Sequence, residues 1–487
     1  MAKFPLSQGA YQARSPIANA QVCINLYPEP NPKDAPFPVT HYPSPGLTLL
    51  SDFSSFLSGQ VRGLYQCSNA DIIAVIGTTV IKWLGAGNTA SSCVILGTLP
   101  ANPYNKLVSI CDNQTDVVLV DQSGGGGWYV PLASTNTPGS LQTISDPAFY
   151  GSTRVDYIDT FLVFNAPGTS TFYTTTSNVL LPFDPLYFAA KVGYNDYTAC
   201  TAVLHDNIWV LGNVTTEIWF NAGSAAFPFA RMPNSILQQG CSAVASPVIA
   251  DNAIYWLSQD RWGHSLMLRG EGYGAKRIST FAVEDEWSTY STTADAVGMT
   301  YQLAGHEIIG MYFPSGNAWW AYDASANLWH KRTYGDLSTA WLPFCMCGWG
   351  NTQEIQWRNA ILAGDRTAPK IYQVDRNAYT DNGVAIPRQR SWTHVQADDG
   401  QRVAHTRFSA SFAGASLSPD TLQLDWSDDA GQTYGTPVAQ TINNQTDGQY
   451  QWRRLGYARD RVYRLTWSGQ GECALNGAYL DVVPHAT

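Results

Sequence analysis

Glu307-Ile308-Ile309-Gly310-Met311-Tyr312-Phe313, then Pro314-Ser315-Gly316-Asn317, then Ala318-Trp319-Trp320-Ala321-Tyr322, is a β-branched and aromatic run, a tight polar turn and a second such run. Two runs of that composition around a short Gly/Asn-bearing turn read as a β-hairpin. The pattern occurs seven times. The other copies are Ile72 to Gly77 with Val80 to Leu84, Val117 to Val120 with Trp128 to Val130, and Phe161 to Phe164 with Thr171 to Tyr173. Ile208 to Leu211 with Glu217 to Phe220, Ile254 to Leu257 with Ser265 to Leu268, and Ala360 to Ala363 with Lys370 to Val374 complete the set. Counted from the first residue of each copy, the spacing is roughly 44 to 54 residues, in or near the range of four-stranded propeller blades.

Around each hairpin lie flanking strand candidates, such as Arg62 to Gln66 and Cys93 to Leu96 in the first copy, or Thr201 to Leu204 and Phe227 to Arg231 in the fourth. A single four-stranded unit has two apolar faces and cannot bury either alone, so the copies must stack around an axis. The expected fold is all-β: a β-propeller over residues 61–388, an extended amino-terminal arm over 1–60, and a separate antiparallel β-sandwich over 389–487. The blade count is seven, or six if the thin copy around Gly364 and Asp365 does not form one; the arm could complete a blade. The one helix candidate is Thr280 to Trp287.

Charged residues are 14% of the chain and aromatics 13%, with a net charge of −10. So few charges imply a surface covered by neighbours, and an acidic chain without a basic stripe does not wrap nucleic acid. The densest basic cluster, Arg453, Arg454, Arg459, Arg461 and Arg464, lies near Asp447 and Asp460 and reads as a solvated strand face with local ion pairs. The nine cysteines form no C-x-x-C pair, and all are expected as reduced, mostly buried thiols. Cys345 and Cys347 alternate on a strand face without companion metal ligands. Met1 to Ala10 carries no signal-peptide pattern and no stretch has the length of a membrane span, so the protein is expected to act without secretion.

Prolines 5, 16, 28, 30, 32, 36, 38, 43 and 45 forbid a helix in the arm. With Leu26, Tyr27, Phe37, Tyr42 and Leu47 interspersed, the arm is expected to lie along its own propeller or a neighbouring subunit. In the carboxy-terminal domain, Arg407 to Phe412, Thr421 to Trp426, Tyr450 to Arg454, Arg461 to Trp467 and Ala474 to Val483 read as strands. Ser427-Asp428-Asp429-Ala430-Gly431-Gln432-Thr433-Tyr434 fits the S-x-D-x-G-x-T-[WY] Asp box. In it Asp429 accepts backbone N–H bonds, Gly431 takes positive φ, and Tyr434 packs under the turn. Ser427, Asp429, Gly431, Thr433 and Tyr434 are therefore read as a hairpin staple, although sialidases also carry such boxes.

Catalytic signals fail on inspection. His306-Glu307 opens like H-E-x-x-H, but Gly310 stands in the place of the second histidine. Ser123 to Gly127 is glycine-rich without the Lys of a P-loop. Glu284, Asp285 and Glu286 are adjacent in sequence, which is a solvated edge rather than two acids flanking a glycosidic bond. No metal, cofactor or catalytic residue is assigned.

More specific are Gln239-Gly240-Cys241, the run Ala253-Ile254-Tyr255-Trp256-Leu257-Ser258-Gln259-Asp260-Arg261-Trp262-Gly263, then Gly272-Tyr273, and Lys276-Arg277-Ile278-Ser279-Thr280 with Glu284. With Asn25-Leu26-Tyr27-Pro28-Glu29 and Pro45-Gly46-Leu47, they resemble the packaged-DNA stabilisation (tail hub, or nozzle) proteins of short-tailed phages over nearly the whole length. The resemblance singles out Gly240, Cys241, Asp260, Arg261, Gly263, Arg277, Ser279 and Thr280. It implies a non-catalytic virion tail component, assembled in the host cytoplasm. Six copies would form a ring below the portal and its adaptor ring, extend the DNA channel and help retain the genome. The ring would also offer attachment to fibres or spikes and to a plug or needle. DNA would pass through the lumen without sequence-specific binding, since an acidic or neutral wall repels phosphate.

Two other functions compete. A carbohydrate-binding or glycoside-cleaving propeller is suggested by the 17 Trp, 26 Tyr and the Asp box; against it, most of these aromatics fall in the repeated strand runs. An intracellular WD-repeat scaffold lacks the regular G-H and W-D signatures.

Overall fold

The computed structural model describes residues 2–4, 9–101, 106–122, 125–349, 360–396, 400–413, 420–442, 448–469 and 471–484. Among these, seven four-stranded antiparallel blades surround one axis. Their first strands are Val61–Gln66, Val108–Asp112, Val155–Ile158, Thr198–Leu204, Val248–Ala250, Val297–Leu303 and Pro343–Trp349. The first strand of blade 7 lies against that of blade 1, which closes the ring.

The hairpin repeats form the middle of each blade because their residues are apolar on both faces. Ile72–Ile76, for example, is buried throughout. One face of each blade packs on the blade before it and the other on the blade after. Seven apolar clusters result, one in each gap between neighbouring blades. Each fully buried Val, Leu, Ile or Phe there contributes about 1.5–3 kcal/mol, so the aromatic content is consumed by blade stacking. Among the tryptophans whose side chains are described, only Trp262 is exposed, at 88%. A platform of tryptophans for sugar is thus missing from the described surface.

Buried ion pairs add specific joints. Arg62 of blade 1 donates to Asp121 of blade 2 at 2.7 Å and to the carbonyls of Lys106 and Gly77. Lys191 and Asp196 pair beside the Thr215 hydroxyl, between blades 3 and 4.

The amino-terminal segment is extended, and it is woven into the rest of the chain. Cys23–Ile24 pairs in parallel with the last strand of blade 6, Leu328–Arg332, and antiparallel with Arg388–Ser391 of the sandwich. One sheet of ten strands therefore runs from blade 6 through this short strand into the carboxy-terminal domain. Leu26–Pro30 and Val39–Pro43 form a hairpin that extends the other sandwich sheet, next to Ala474–Pro484. Pro28 and Pro30 lie on its outermost strand, where a missing N–H breaks no ladder. Gly46–Asp52 then supplies the fourth strand of blade 7, antiparallel to Lys370–Asp375. Leu26, Tyr27, Phe37 and Leu47 are all buried against this same chain. The sheet pairings thus cross the divisions expected at residues 60 and 388.

The sandwich core is an eighth cluster containing Trp392, Phe408, Leu422, Tyr463, Leu465 and Trp467. The arginine cluster divides. Arg461 pairs with Asp428 and Arg464 with Asp425, whereas Asp460 holds His394. Strand register places Arg464 directly opposite Asp425 on the neighbouring strand. Asp447 lies outside the described residues.

Candidate functional site

The residues singled out by family resemblance lie on blade 5 and on the crossovers that join it to blades 4 and 6. Gly240 permits close backbone approach: a Cβ there would lie 2.4 Å from the carbonyl carbon of Asn213. Its own carbonyl accepts the Trp256 indole N–H at 2.9 Å. Cys241 is buried, with its sulfur 4.0 Å from that of Cys200. Asp260 caps the hairpin turn, accepting the backbone N–H groups of Trp262 at 2.8 Å and His264 at 3.0 Å. Gly263 supplies the positive φ, +83°, that the turn requires. Arg261 projects into solvent.

Thr280 is the N-cap of the helix Phe281–Trp287, its hydroxyl accepting from Val283 N–H. Ala282, Val283 and Trp287 bury one face of that helix. Glu284 then gathers Ser279 Oγ at 2.5 Å and the Arg277 guanidinium, which also stacks over the Phe281 ring at 4.3 Å. Ser279 in turn accepts Met267 N–H at 2.9 Å. Asp260, Arg277, Phe281 and Glu284 line a cleft of about 530 Å³, which also receives Tyr11 and Arg14 from the amino-terminal segment. Apart from the exposed Arg261, the polar groups of the motif are spent on turns, a cap or strand-to-helix ties. No base faces a nucleophile.

The Asp box is likewise self-contained. Asp429 accepts from Ser427 Oγ at 2.6 Å, Thr433 N–H at 2.8 Å and Thr433 Oγ1 at 2.5 Å. Hydrogen bonds from Ser427 and Thr433 hold its carboxyl down at about 2. Gly431 takes φ +88°, and a Cβ there would meet Ala20 at 2.8 Å, so the turn sits against the amino-terminal segment. Arg464 stacks over the Tyr434 ring at 3.6 Å while it holds Asp425.

The remaining sequence candidates are dispersed. His306 is held between Asp323, at 2.5 Å, and Glu29 of the amino-terminal hairpin, at 3.5 Å, which makes it a tie between segments. Glu286 pairs with Lys331, Asp285 faces Arg14 and Glu284 holds Arg277, so the three acids point to three different partners. Ser123 of the glycine-rich run lies outside the described residues. All nine cysteines are free, and eight are buried. Burial pushes the Cys23 thiol up to about 11 and Cys347 to about 12, which keeps these thiols protonated.

Sequence reading missed the buried arginines. Arg390 donates to Gln21 Oε1 at 2.7 Å and to the carbonyl of Val22 at 3.0 Å, anchoring the amino-terminal segment to the sandwich. Arg332 lies over the Trp341 ring at 3.7 Å and donates to the carbonyl of Pro45. Alternation alone places such residues on a solvent face; only the segment folded over them shows otherwise.

Fold and polar groups together define a structural class: a closed propeller fused to a β-sandwich, its motif residues used for internal ties. A family model described as bacteriophage P22 Gp10, beta-propeller, matches residues 2–379, and one described as bacteriophage P22 Gp10, beta-sandwich, matches residues 388–483. The chain belongs to this family: it is a tail-hub protein that stabilises packaged DNA, a structural component of a short-tailed phage virion. No curated protein sequence matches it.

Among solved structures, the extracellular domain of a one component system from B. thetaiotaomicron is 10% identical, with a TM-score of 0.44 over 82% of this chain and 48% of that one. This chain thus spans about half the length of that relative. An exo-beta-1,3-galactanase from Phanerochaete chrysosporium is 10% identical, with a TM-score of 0.29 over 83% of this chain and 99% of that one. Scores this low transfer neither binding nor catalysis.

Proposed function

We propose that the chain is the wall subunit of a six-membered ring below the portal and its adaptor ring. The ring extends the DNA channel, retains the packaged genome, and offers its outer surface to fibres or spikes and its end to a plug or needle. The observation that supports this reading is the ten-stranded sheet through Cys23–Ile24. It joins propeller to sandwich by backbone hydrogen bonds, so the subunit transmits force as one body rather than hinging between two domains. A chain with a net charge of −10 suits a channel that DNA must leave quickly, since phosphate is repelled rather than held. The lumenal side chains are accordingly acidic or neutral.

Electron microscopy of the purified protein, alone and with portal and adaptor, tests the ring. Six-fold rings at the adaptor's distal face are expected. A protein that stays monomeric with portal and adaptor present, or a ring whose lumen is lined by a continuous band of Lys and Arg, sinks the proposal. Glycan-array binding by the isolated chain would instead favour the carbohydrate reading.

A further inference from the structure

Accessible acidic and basic groups of this chain gather on two separate patches. Residues 107–231, which build blades 2 to 4, contain ten Asp and Glu but only three basic residues, Arg154, Lys191 and Arg231. All three are already engaged, Arg154 with Asp156, Lys191 with Asp196 and Arg231 with Glu217. Around blade 3 the acids Asp146, Asp159 and Asp184 accompany exposed apolar side chains, Val179 at 47%, Leu186 at 71% and Phe188 at 47%, with Asp159 accepting from Asn221 of blade 4 at 3.1 Å. Backbone N–H donors hold this segment in place. Phe183 N–H donates to Asp146 at 3.1 Å, and Asn178 N–H to the carbonyl of Thr160 at 2.9 Å.

The sandwich, residues 389–487, has ten Asp and Glu against eight Arg, but one of its edges gathers exposed arginines. Arg402, Arg453, Arg454 and Arg459 are exposed and, among the described residues, have no carboxylate partner. Their neighbours Arg407, Arg461 and Arg464 are each ion-paired. Strand register groups the four. Val403 pairs with Ala458, which sets Arg402 beside Arg459, and Arg453 and Arg454 follow along the same strand at Arg407 and Thr406. Exposed Tyr457 lies among them. Charge on an edge strand often serves only to block sheet pairing. Four unpaired arginines around an exposed tyrosine, in a chain of negative net charge, exceed that need.

The two patches face away from each other. The sandwich joins the propeller at blade 6, and in a seven-bladed ring the gap between blades 2 and 3 lies across the axis from blade 6. Gln449–Arg453 is also the sandwich strand farthest from the Leu26–Pro30 edge, which ties to blade 6 through Glu29 and His306.

We propose that the arginine edge of one copy docks on the acidic, apolar rim around blade 3 of the next. Unlike patches attract and like patches repel, so copies join head to tail, the arrangement that closes into a ring. Arg and Tyr are the residues enriched at such contacts, and Leu186 and Phe188 provide the apolar centre. This inference rests on the ring reading above and adds which surfaces meet.

Two variants of the full chain test it: R402E/R453E/R459E on the arginine edge, and D159K/L186K on the rim. Both leave the turn-capping Asp146 and Asp184 in place, and unchanged thermal melts confirm folding. Native mass spectrometry and negative-stain microscopy at low salt, with adaptor present, read assembly. Each variant alone should lose rings under conditions where the unmodified chain forms them. An equimolar mixture should recover rings, because the reversed edge of one variant meets the reversed rim of the other. Rings from either variant alone, loss in only one of them, or no recovery on mixing overturns the pairing. If the arginine variant assembles but loses binding to added DNA, the patch serves a polyanion instead. If the unmodified chain never forms rings, the ring reading fails, not the pairing.

Discussion

Leu47→Ala should loosen blade 7 selectively. Leu47 is 1% exposed and lies among Tyr27, Val297, Tyr301, Trp341 and Tyr372 in the gap between blades 6 and 7. It belongs to the strand that completes blade 7, paired with Val374. Truncating a buried leucine costs about 2–5 kcal/mol, more where the surroundings cannot collapse. Rigid aromatic rings line this site, so the upper part of the range applies, about 3–5 kcal/mol. At 1.4 kcal/mol per factor of ten, local opening of the closure strand becomes ~100- to 5,000-fold more frequent. Hydrogen–deuterium exchange followed by peptide mass spectrometry measures this directly. Peptides over Gly46–Asp52 and Lys370–Asp375 should exchange faster by that factor while blades 2 to 4 change little. Equal acceleration in blades 2 to 4 would show that the ring opens only as a whole. Unchanged exchange at 370–375 would show that the amino-terminal strand does not hold the ring closed.

Arg390→Ala removes the donor to Gln21 and Val22; limited proteolysis should then cut first between residues 9 and 24, and an unchanged digestion pattern counts against this anchor. Burial pulls His330 down to about 3 and His405 to about 4 from 6.5. The unfolded chain binds these protons near pH 6.5 and the folded chain does not, so stability is complete above about pH 7 and falls as the pH drops from 6.5 toward 4. In denaturant titrations across that range His405→Gln should flatten the slope. Asp429→Ala should speed amide exchange at Gln432 and Thr433 and leave the propeller unchanged. Because the Asp429 carboxyl is held at about 2, against 3.8 ordinarily, that protection is complete above about pH 4 and disappears as the pH falls through 2; protection retained at pH 1.5 would refute the carboxylate's role.

The candidate site was legible in proportion to how local its bonds are. The Asp box could be read because its donors and acceptors lie within eight consecutive residues, from Ser427 to Tyr434. The Thr280 cap and the Asp260 turn are equally local. The tie from Glu284 to Arg277 crosses seven residues and a change from strand to helix; sequence placed both residues in the family-like motif and Glu284 in an acidic run, without showing that they pair. His306 looked like half of a zinc motif; its partners Asp323 and Glu29 come from a neighbouring strand and from the amino-terminal hairpin.

By itself the sequence determined the blades. Each hairpin repeat pairs strands a few residues apart, and apolar side chains on both faces of those strands force stacking whatever the rest of the chain does. What only the tertiary structure decided is how the ring closes and how the two domains join. Blade 7 draws three strands from its own repeat and leaves an open edge, which Gly46–Asp52 fills from more than 300 residues away. Blade 6 leaves another edge, and Cys23–Ile24 uses it to carry the sheet into the sandwich. An unpaired edge accepts any extended backbone. The choice of segment is set by burial of Leu26, Tyr27 and Leu47 and by Arg332 and Arg390 beneath them, contacts that leave no period in the sequence.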